Sequence, residues 1–339
     1  MSKSEATIRD IAKLLGISKS TVSRALNNHY DVSQETSRKV HELAAKIDYH
    51  PNLLAQHLKL QRTNTIGVII PETVNRFFAK AVGGIQQAAN NAGYNVMICQ
   101  SNETLALEQT NLQTLMASKV DGLLVSVSRQ TDRSEHFRYV IDKEIPLVFF
   151  DRIIEDLEVS QVYSNNHEIC FQGTEHLIDQ GCKRIAFIAG PKHLYTSRNR
   201  LSGYVAALKE NNLPVTESLI VHTNYQVNDI EEYIRYLFNL RQKPDGIFAI
   251  NDMTALEIMH ILKKRGLQIP KDVAVLGFNN ETICKIVEPT LSSIDHPAFD
   301  MGVAAAEILL KQIGNKEVFQ EKRLIKSKLV IRESTTRIF

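Results

Sequence analysis

Cysteine is scarce and scattered: Cys99, Cys170, Cys182 and Cys284 stand far apart, with no CxxC pair. That spacing suits neither a zinc cage nor a disulfide framework, and buried free thiols are the plain reading. Long apolar runs are missing too, so no segment is suited to crossing a bilayer. The opening MSKSEATIRD has no apolar core of a secretory signal, which points to a cytoplasmic protein. Catalytic signatures are absent as well. No GxGxxG follows a strand, and GxxxxGK[ST], GxSxG and HExxH do not occur. The eleven histidines show no metal-ligand spacing. These absences argue against an enzyme, a metal site and a bound cofactor.

What is present is ordinary in bulk and uneven in detail. The chain has 339 residues, 43% hydrophobic and 23% charged, enough for two or three domains with real cores. Residues 1–62 hold ten basic and six acidic side chains, a net +4, while the remainder holds 30 and 32, a net −2. A small basic head on a slightly acidic body points to a polyanion partner for the head alone.

In the head, Ile8, Ile11, Ala12 and Leu15 share one helical face. Thr7 with Asp10 forms a variant capping box that starts this helix, and Gly16 ends it. Ser18 caps a second helix with Val22, Ala25 and Leu26 inside; Ser33 caps a third with Val40, Leu43, Ala44 and Ile47 inside. The tight turn between the first two makes a helix-turn-helix. The outer face of the second helix, in ISKSTVSRALNN, is short and hydroxyl-rich. Ser20 and Ser23 permit close approach, and Lys19 and Arg24 can reach guanine O6 and N7 in a major groove. A merely polar helical face is the duller alternative.

TIRDIAKLLGISKSTVSRALNN followed by VSQETSRKVHELAAKIDYHPNLLAQHLK resembles the DNA-binding head of the lactose/galactose-repressor family, and the similarity continues to LVIRES near the C-terminus. The resemblance implies an all-α helix-turn-helix head (1–50), a hinge helix and linker (51–64) and a two-lobed α/β body (65–339) like a periplasmic binding protein. It implies that Lys19, Ser20 and Arg24 read bases, that Thr7, Ser18, Thr21 and Ser23 hold phosphates, and that Asn27 also touches DNA. HPNLLAQHLKLQRTNT would be a hinge that folds on DNA, with Leu58 as the wedge in the minor groove. Ala55 would allow the approach, with Gln56 and Lys59 beside it. An ordinary linker packed on the body is the alternative.

From Thr65 strands and helices alternate: TIGVIIP, YNVMIC, VDGLLVSV and PLVFFD, then a restart at RIAFIAGP, GIFAIN and VAVLGF. This predicts two similar lobes of doubly wound parallel sheet, with ligands at the carboxyl ends of the strands. The lobes are expected at 65–164 with 294–322, and at 165–293 with 323–339. Polar and flat groups collect at those strand ends: Phe77, Phe78, Asp151, Asn165, Asn166, Thr196, Arg200, Tyr225, Asn251, Asp252 and Asn279. Such a mixture suits a sugar, whose hydroxyls need partners and whose C–H faces stack. Phe78 lies on a core stripe, so Phe77 is the better stacking candidate; Asp252 and Asn166 are equally natural helix caps.

The family resemblance strengthens Arg200, in SRNRLSG, and Asn251 as effector contacts. Two departures narrow the ligand. Asn279 stands where many members carry Asp, and Leu194 stands where purine-binding members carry Arg. The expected protein is therefore a homodimeric regulator on a near-palindromic operator, with no membrane partner and a carbohydrate effector. The chain ends soon after LVIRES, without the leucine-rich tail that makes tetramers in this family. A solute-binding protein with no regulatory role on DNA is the alternative, against which the basic head and the missing signal count.

Overall fold

The computed structural model describes residues 6–49, 62–74, 76–223, 230–315 and 320–337. Residues Met1–Thr63 and Asn64–Phe339 form two compact units. Among the described residues no helix is long and apolar enough to cross a membrane.

The first unit contains α1 (Ile8–Leu15), α2 (Lys19–Leu26) and α3 (Gln34–Lys46). Gly16 takes φ 66°, a left-handed conformation that lets α1 stop and the chain turn within three residues into α2. Ser18 and Ser33 cap α2 and α3 by accepting from the backbone N–H groups of Thr21 and Thr36. Ile11, Ala12, Val22, Ala25, Val40 and Ala44 form the buried core of the three helices. Only small and β-branched side chains line most of it, so the helices stay close and the head stays small.

The second unit is two stacked repeats of one pattern. Its first sheet comprises β1 (Thr65–Ile70), β2 (Asn95–Gln100), β3 (Gly122–Val125), β4 (Leu147–Phe150), β5 (Ser160–Ser164) and β11 (Lys322–Ile325), in the order β11-β5-β4-β3-β1-β2. All its neighbours run parallel. The second sheet comprises β6 (Ile185–Ala189), β7 (Ile220–His222), β8 (Gly246–Ala249), β9 (Ala274–Phe278), β10 (Ser292–Asp295) and β12 (Lys328–Val330), in the order β12-β10-β9-β8-β6-β7. Among the described residues only the β10–β12 pair of this sheet is antiparallel.

Successive residues of a strand face opposite sides, so each sheet feeds two cores. Ile66, Val68 and Ile70 pack under α4 (Arg76–Asn91) and α11 (Ala298–Gly314). Ile69, Leu123 and Phe149 pack under α5 (Leu105–Ala117) and α6 (Glu135–Asp142). In the second lobe, Phe187, Phe248 and Leu276 meet α7 (Asn166–Asp179) and α8 (Tyr195–Glu210). Ile188, Ile247 and Val275 meet α9 (Ile230–Asn239) and α10 (Asp252–Lys264). In each lobe one helix pair is drawn together at glycine. A Cβ on Gly302 would lie 2.0 Å from the Ala81 carbonyl oxygen, and one on Gly203 2.1 Å from that of His167.

The lobe limits differ from those expected at 294 and 322. Strand β10 carries the second sheet to Asp295, and β11, paired with β5, keeps the chain in the first sheet to Ile325. The chain therefore crosses between lobes at Asn165, at His296–Pro297 and at Lys326–Ser327. The side-chain oxygen of Asn165 accepts the Ser327 N–H at 2.8 Å, which ties the first crossing to the third.

Candidate functional site

Two surfaces deserve the description of a site, one on each unit. On the head, the face of α2 opposite its core shows Lys19, Ser20 and Arg24 exposed, with Thr21 and Ser23 half-buried beside them. Three hydroxyls gather at the helix start: Ser18 Oγ lies 2.6 Å from Ser20 Oγ and 2.8 Å from Thr21 Oγ1. Thr7, at the start of α1, donates through both its N–H and its hydroxyl to Asp10. Asn27 donates to the Ser23 carbonyl at 2.7 Å. Arg24 is not idle either: Nη1 donates to Asp31 at 2.7 Å, and the other Asp31 oxygen lies 2.7 Å from His29 Nδ1. To grip a base, Arg24 must exchange or share this partner, at small cost because the pair is exposed. Ala55, Gln56, Leu58 and Lys59 lie outside the described residues, as does Tyr225.

On the body, a cleft of about 370 Å³, open mouth included, is lined from the carboxyl ends of both sheets. After β1 come Phe77 and Phe78; after β4, Asp151 and Arg152; after β6, Thr196 and Arg200 on α8. Ile250 and Asn251 follow β8, Asn279 follows β9, and His296 follows β10 on a crossing segment. Asp151 and Asn279 both take positive φ, 59° and 109°, the kind of backbone outlier that clusters at functional sites.

The charges in this cleft are arranged unequally. Arg152 is buried and bidentate on Glu103, at 2.8 and 3.0 Å, so its charge is matched. Arg200, also buried, donates Nε to Asn166 Oδ1 at 2.8 Å and Nη1 to the Ile250 carbonyl, and lies over the Phe278 ring at 3.6 Å. Asp151 Oδ1 and His296 Nε2 are buried, have no hydrogen-bond partner and stand 3.8 Å apart. Burial pushes the Asp151 carboxyl above its ordinary range, against the pull of Arg200 and Arg152. Burial, with Arg200 nearby, pushes the His296 imidazole well below its own. Burial thus works against the charged form of both groups. Among the described residues no group of three His, Cys, Asp or Glu side chains could hold a metal ion.

The cleft thus gathers seven of the expected residues, and the others fall elsewhere. Phe78 belongs to the core and lines the cleft at once. Phe77 stacks one face on His296, centroids 4.5 Å apart and rings 23° from parallel. Asn165 is away from the cleft, its amide taken up by Ser327 and Glu168. Its neighbour Asn166 is the one that reaches the site, through Arg200. Asp252 is also outside: its oxygens accept from the Glu281 N–H at 2.8 Å and the Ser293 hydroxyl at 2.5 Å. The cap of α10 is Asn251, which accepts from the Thr254 N–H, not Asp252. Leu194 is buried in the first lobe's core. Arg152 and His296 were not anticipated. Arg152 is signalled by its place next to Asp151 at the same strand end, whereas His296 sits on a crossing that no apolar pattern marks.

Comparison with known proteins is consistent along the whole chain. Residues 7–52 match the family model of bacterial regulatory proteins of the lacI family, and residues 174–335 match the periplasmic binding protein-like domain. The chain is 30% identical over 333 residues, 98% of each chain, to the HTH-type transcriptional repressor PurR of Vibrio atlanticus (strain LGP32). It is similar to the structure of a transcriptional regulator CelR–cellobiose complex, with TM-score 0.75 and 26% identity over 97% of this chain and all of the other. The fold also matches that of the Lac repressor dimer bound to operator and the anti-inducer ONPF, with TM-score 0.88 at 24% identity, covering 98% of this chain and 100% of that one.

Proposed function

The chain belongs to the lacI family of bacterial regulatory proteins, DNA-binding transcriptional regulators whose operator affinity is set by a small effector, and from that membership we propose how this member does so. The outer face of α2 reads the operator: Lys19, Ser20 and Arg24 address base edges, while Thr7, Ser18, Thr21, Ser23 and Asn27 address the backbone. Ala55, Gln56, Leu58 and Lys59 form the contact that follows in the minor groove. The cleft of the body takes a sugar or sugar derivative. Family membership sets aside a solute-binding protein with no role on DNA.

The observation that carries the effector reading is the pair Asp151 Oδ1 and His296 Nε2, buried in the cleft 3.8 Å apart and neither with a hydrogen-bond partner. Buried polar atoms are normally satisfied, and a polyhydroxylated ligand supplies donors and acceptors for both at once. The cellobiose held by the CelR relative supports the same class.

The working unit is a homodimer on a near-palindromic site, acting in the cytoplasm. One head of this size buries too little surface for tight specific binding. Each lobe also leaves apolar side chains uncovered: Met97 and Ile98 on the edge strand β2, and Met253, Ile283 and Ile286 in the second lobe.

Two variants test the division of labour. Operator fragments are first selected from genomic DNA by the full-length protein, then titrated by fluorescence anisotropy against scrambled duplex. Arg24→Ala should lose at least about tenfold of the preference, the worth of one good bidentate base contact. Arg200→Ala should keep operator binding and lose its response to sugars. A wild-type protein that prefers no genomic fragment over random DNA, with or without sugars, would refute the proposal.

A further inference from the structure

The turn that follows α2 bears on how Arg24 selects a base, granted that the outer face of α2 reads an operator. Asn28 takes φ 52°, a left-handed conformation that asparagine tolerates better than most residues. With it the chain folds back over the helix end. The Asn28 N–H donates to the Ala25 carbonyl at 3.0 Å, and the His29 N–H to the Arg24 carbonyl at 2.9 Å. The turn is thereby pinned to the backbone of Arg24, and it brings Asp31 to the side chain of the same residue. Asp31 Oδ2 accepts from Arg24 Nη1 at 2.7 Å, while Oδ1 lies 2.7 Å from His29 Nδ1, whose ring stacks on Tyr30.

The Arg24 side chain is 58% exposed, and among the described residues Asp31 is the one side chain that holds its guanidinium. A long arginine on a helix surface otherwise samples many rotamers, and ordering it on a base costs entropy. Asp31 takes Nη1 alone. Nε and Nη2 stay available, the parallel pair that matches guanine O6 and N7. The same carboxylate has a second effect on any duplex that offers no guanine in reach. There it cancels a charge that would otherwise pair with phosphates and release counterions. We propose that Asp31 is a specificity-determining positioning residue, which aims Arg24 at one guanine and withholds its charge from the phosphates of other sequences. Affinity and discrimination then move in opposite directions when the carboxylate is removed, a sign that damage to the head cannot imitate.

The test uses the full-length protein and fluorescence anisotropy on an operator fragment selected from genomic DNA. Each base pair is substituted in turn, with a scrambled duplex alongside. Arg24→Ala marks the base pair that Arg24 reads, as the one whose substitution no longer weakens binding. Substitution at that pair should weaken the unaltered protein by about tenfold or more, and Asp31→Asn by less than about threefold. On the scrambled duplex Asp31→Asn should bind at least as tightly as the unaltered protein, with a salt slope steeper by about one. In the Arg24→Ala background Asp31→Asn should leave discrimination unchanged, since the two residues act as one unit. Asp31→Ser removes the charge by a second route and should repeat each result. An undiminished penalty at the marked pair, or equal weakening on every duplex, would overturn the role of Asp31 and leave the operator reading standing. An unaltered protein that prefers no fragment over scrambled duplex would overturn that reading, and the role of Asp31 with it.

Discussion

Asp252 is a carboxylate 0% exposed, and burial lifts its pKa to about 6 from an ordinary 3.8. Its hydrogen bonds from Ser293, Glu281 and Cys284 pull the other way but do not win. Between those two values the folded chain holds a proton that the unfolded chain has released. Stability therefore falls as pH rises from about 4 to about 6, by on the order of 3 kcal/mol, and stays at the lower level above that window. Asp252→Asn keeps an acceptor for the Glu281 N–H and a donor for Ser293, so its stability should lack this component. Urea titrations of both proteins at several pH values check it; parallel pH profiles would sink the assignment. At this scale the sequence was only partly legible. Strand-end position pointed to Asp151, Arg200, Asn251 and Asn279, because a doubly wound sheet always brings those ends together. It could not separate Asn251 from Asp252, or Asn165 from Asn166, since adjacent residues at a helix start point to opposite sides. Which of each pair faces the cleft depends on the first turn of the helix, a matter of about 100° per residue.

Helices α7 and α8 show how an element carries a site. Gly203 sits three residues after Arg200, where a Cβ would lie 2.1 Å from the His167 carbonyl oxygen. The two helices touch backbone to backbone there, and that closeness lets Arg200 on α8 reach Asn166 at the start of α7. Gly203→Ala should push the helices apart and cost about 1–3 kcal/mol of stability, as overpacking does. It should also weaken effector binding severalfold, although residue 203 touches no ligand. A stability loss with unchanged effector affinity would show that the helix contact does not position Arg200. Most elements were legible for a simple reason. Central strands such as Ile185–Ala189 are buried on both faces and read as unbroken apolar runs. Ser160–Ser164 and Lys322–Ile325 are strands with few apolar residues, recruited by hydrogen bonding to a neighbour already in place. Local pattern cannot reveal recruitment of that kind, and the lobe limits expected near 322 were off for this reason.

In the body as a whole, the two lobes meet at the mouth of the cleft through contacts of very different weight. Arg198 on α8 pairs with Glu155 of the first lobe, and His193 Nε2 lies 2.5 Å from the Arg129 carbonyl oxygen. Both partners of the Arg198–Glu155 pair are about half exposed, which limits it to roughly 1 kcal/mol or less. Leu194 belongs by chain to the second lobe yet is 2% exposed inside the first lobe's core. Deleting a side chain so placed costs about 2–5 kcal/mol. An effector that favours the closed arrangement gains or loses affinity by whatever free energy the closure itself gains or loses, and the operator response moves with it. Glu155→Ala should therefore raise the effector concentration at half-response by less than about fivefold, whereas Leu194→Ala should raise it by more than tenfold. Titrating the operator complex with effector gives both midpoints, and differential scanning calorimetry separates lobe opening from loss of the fold. If Glu155→Ala moved the midpoint further than Leu194→Ala, closure would be governed by the exposed ion pair, and a buried hydrophobic latch would be the wrong account of how the lobes are held.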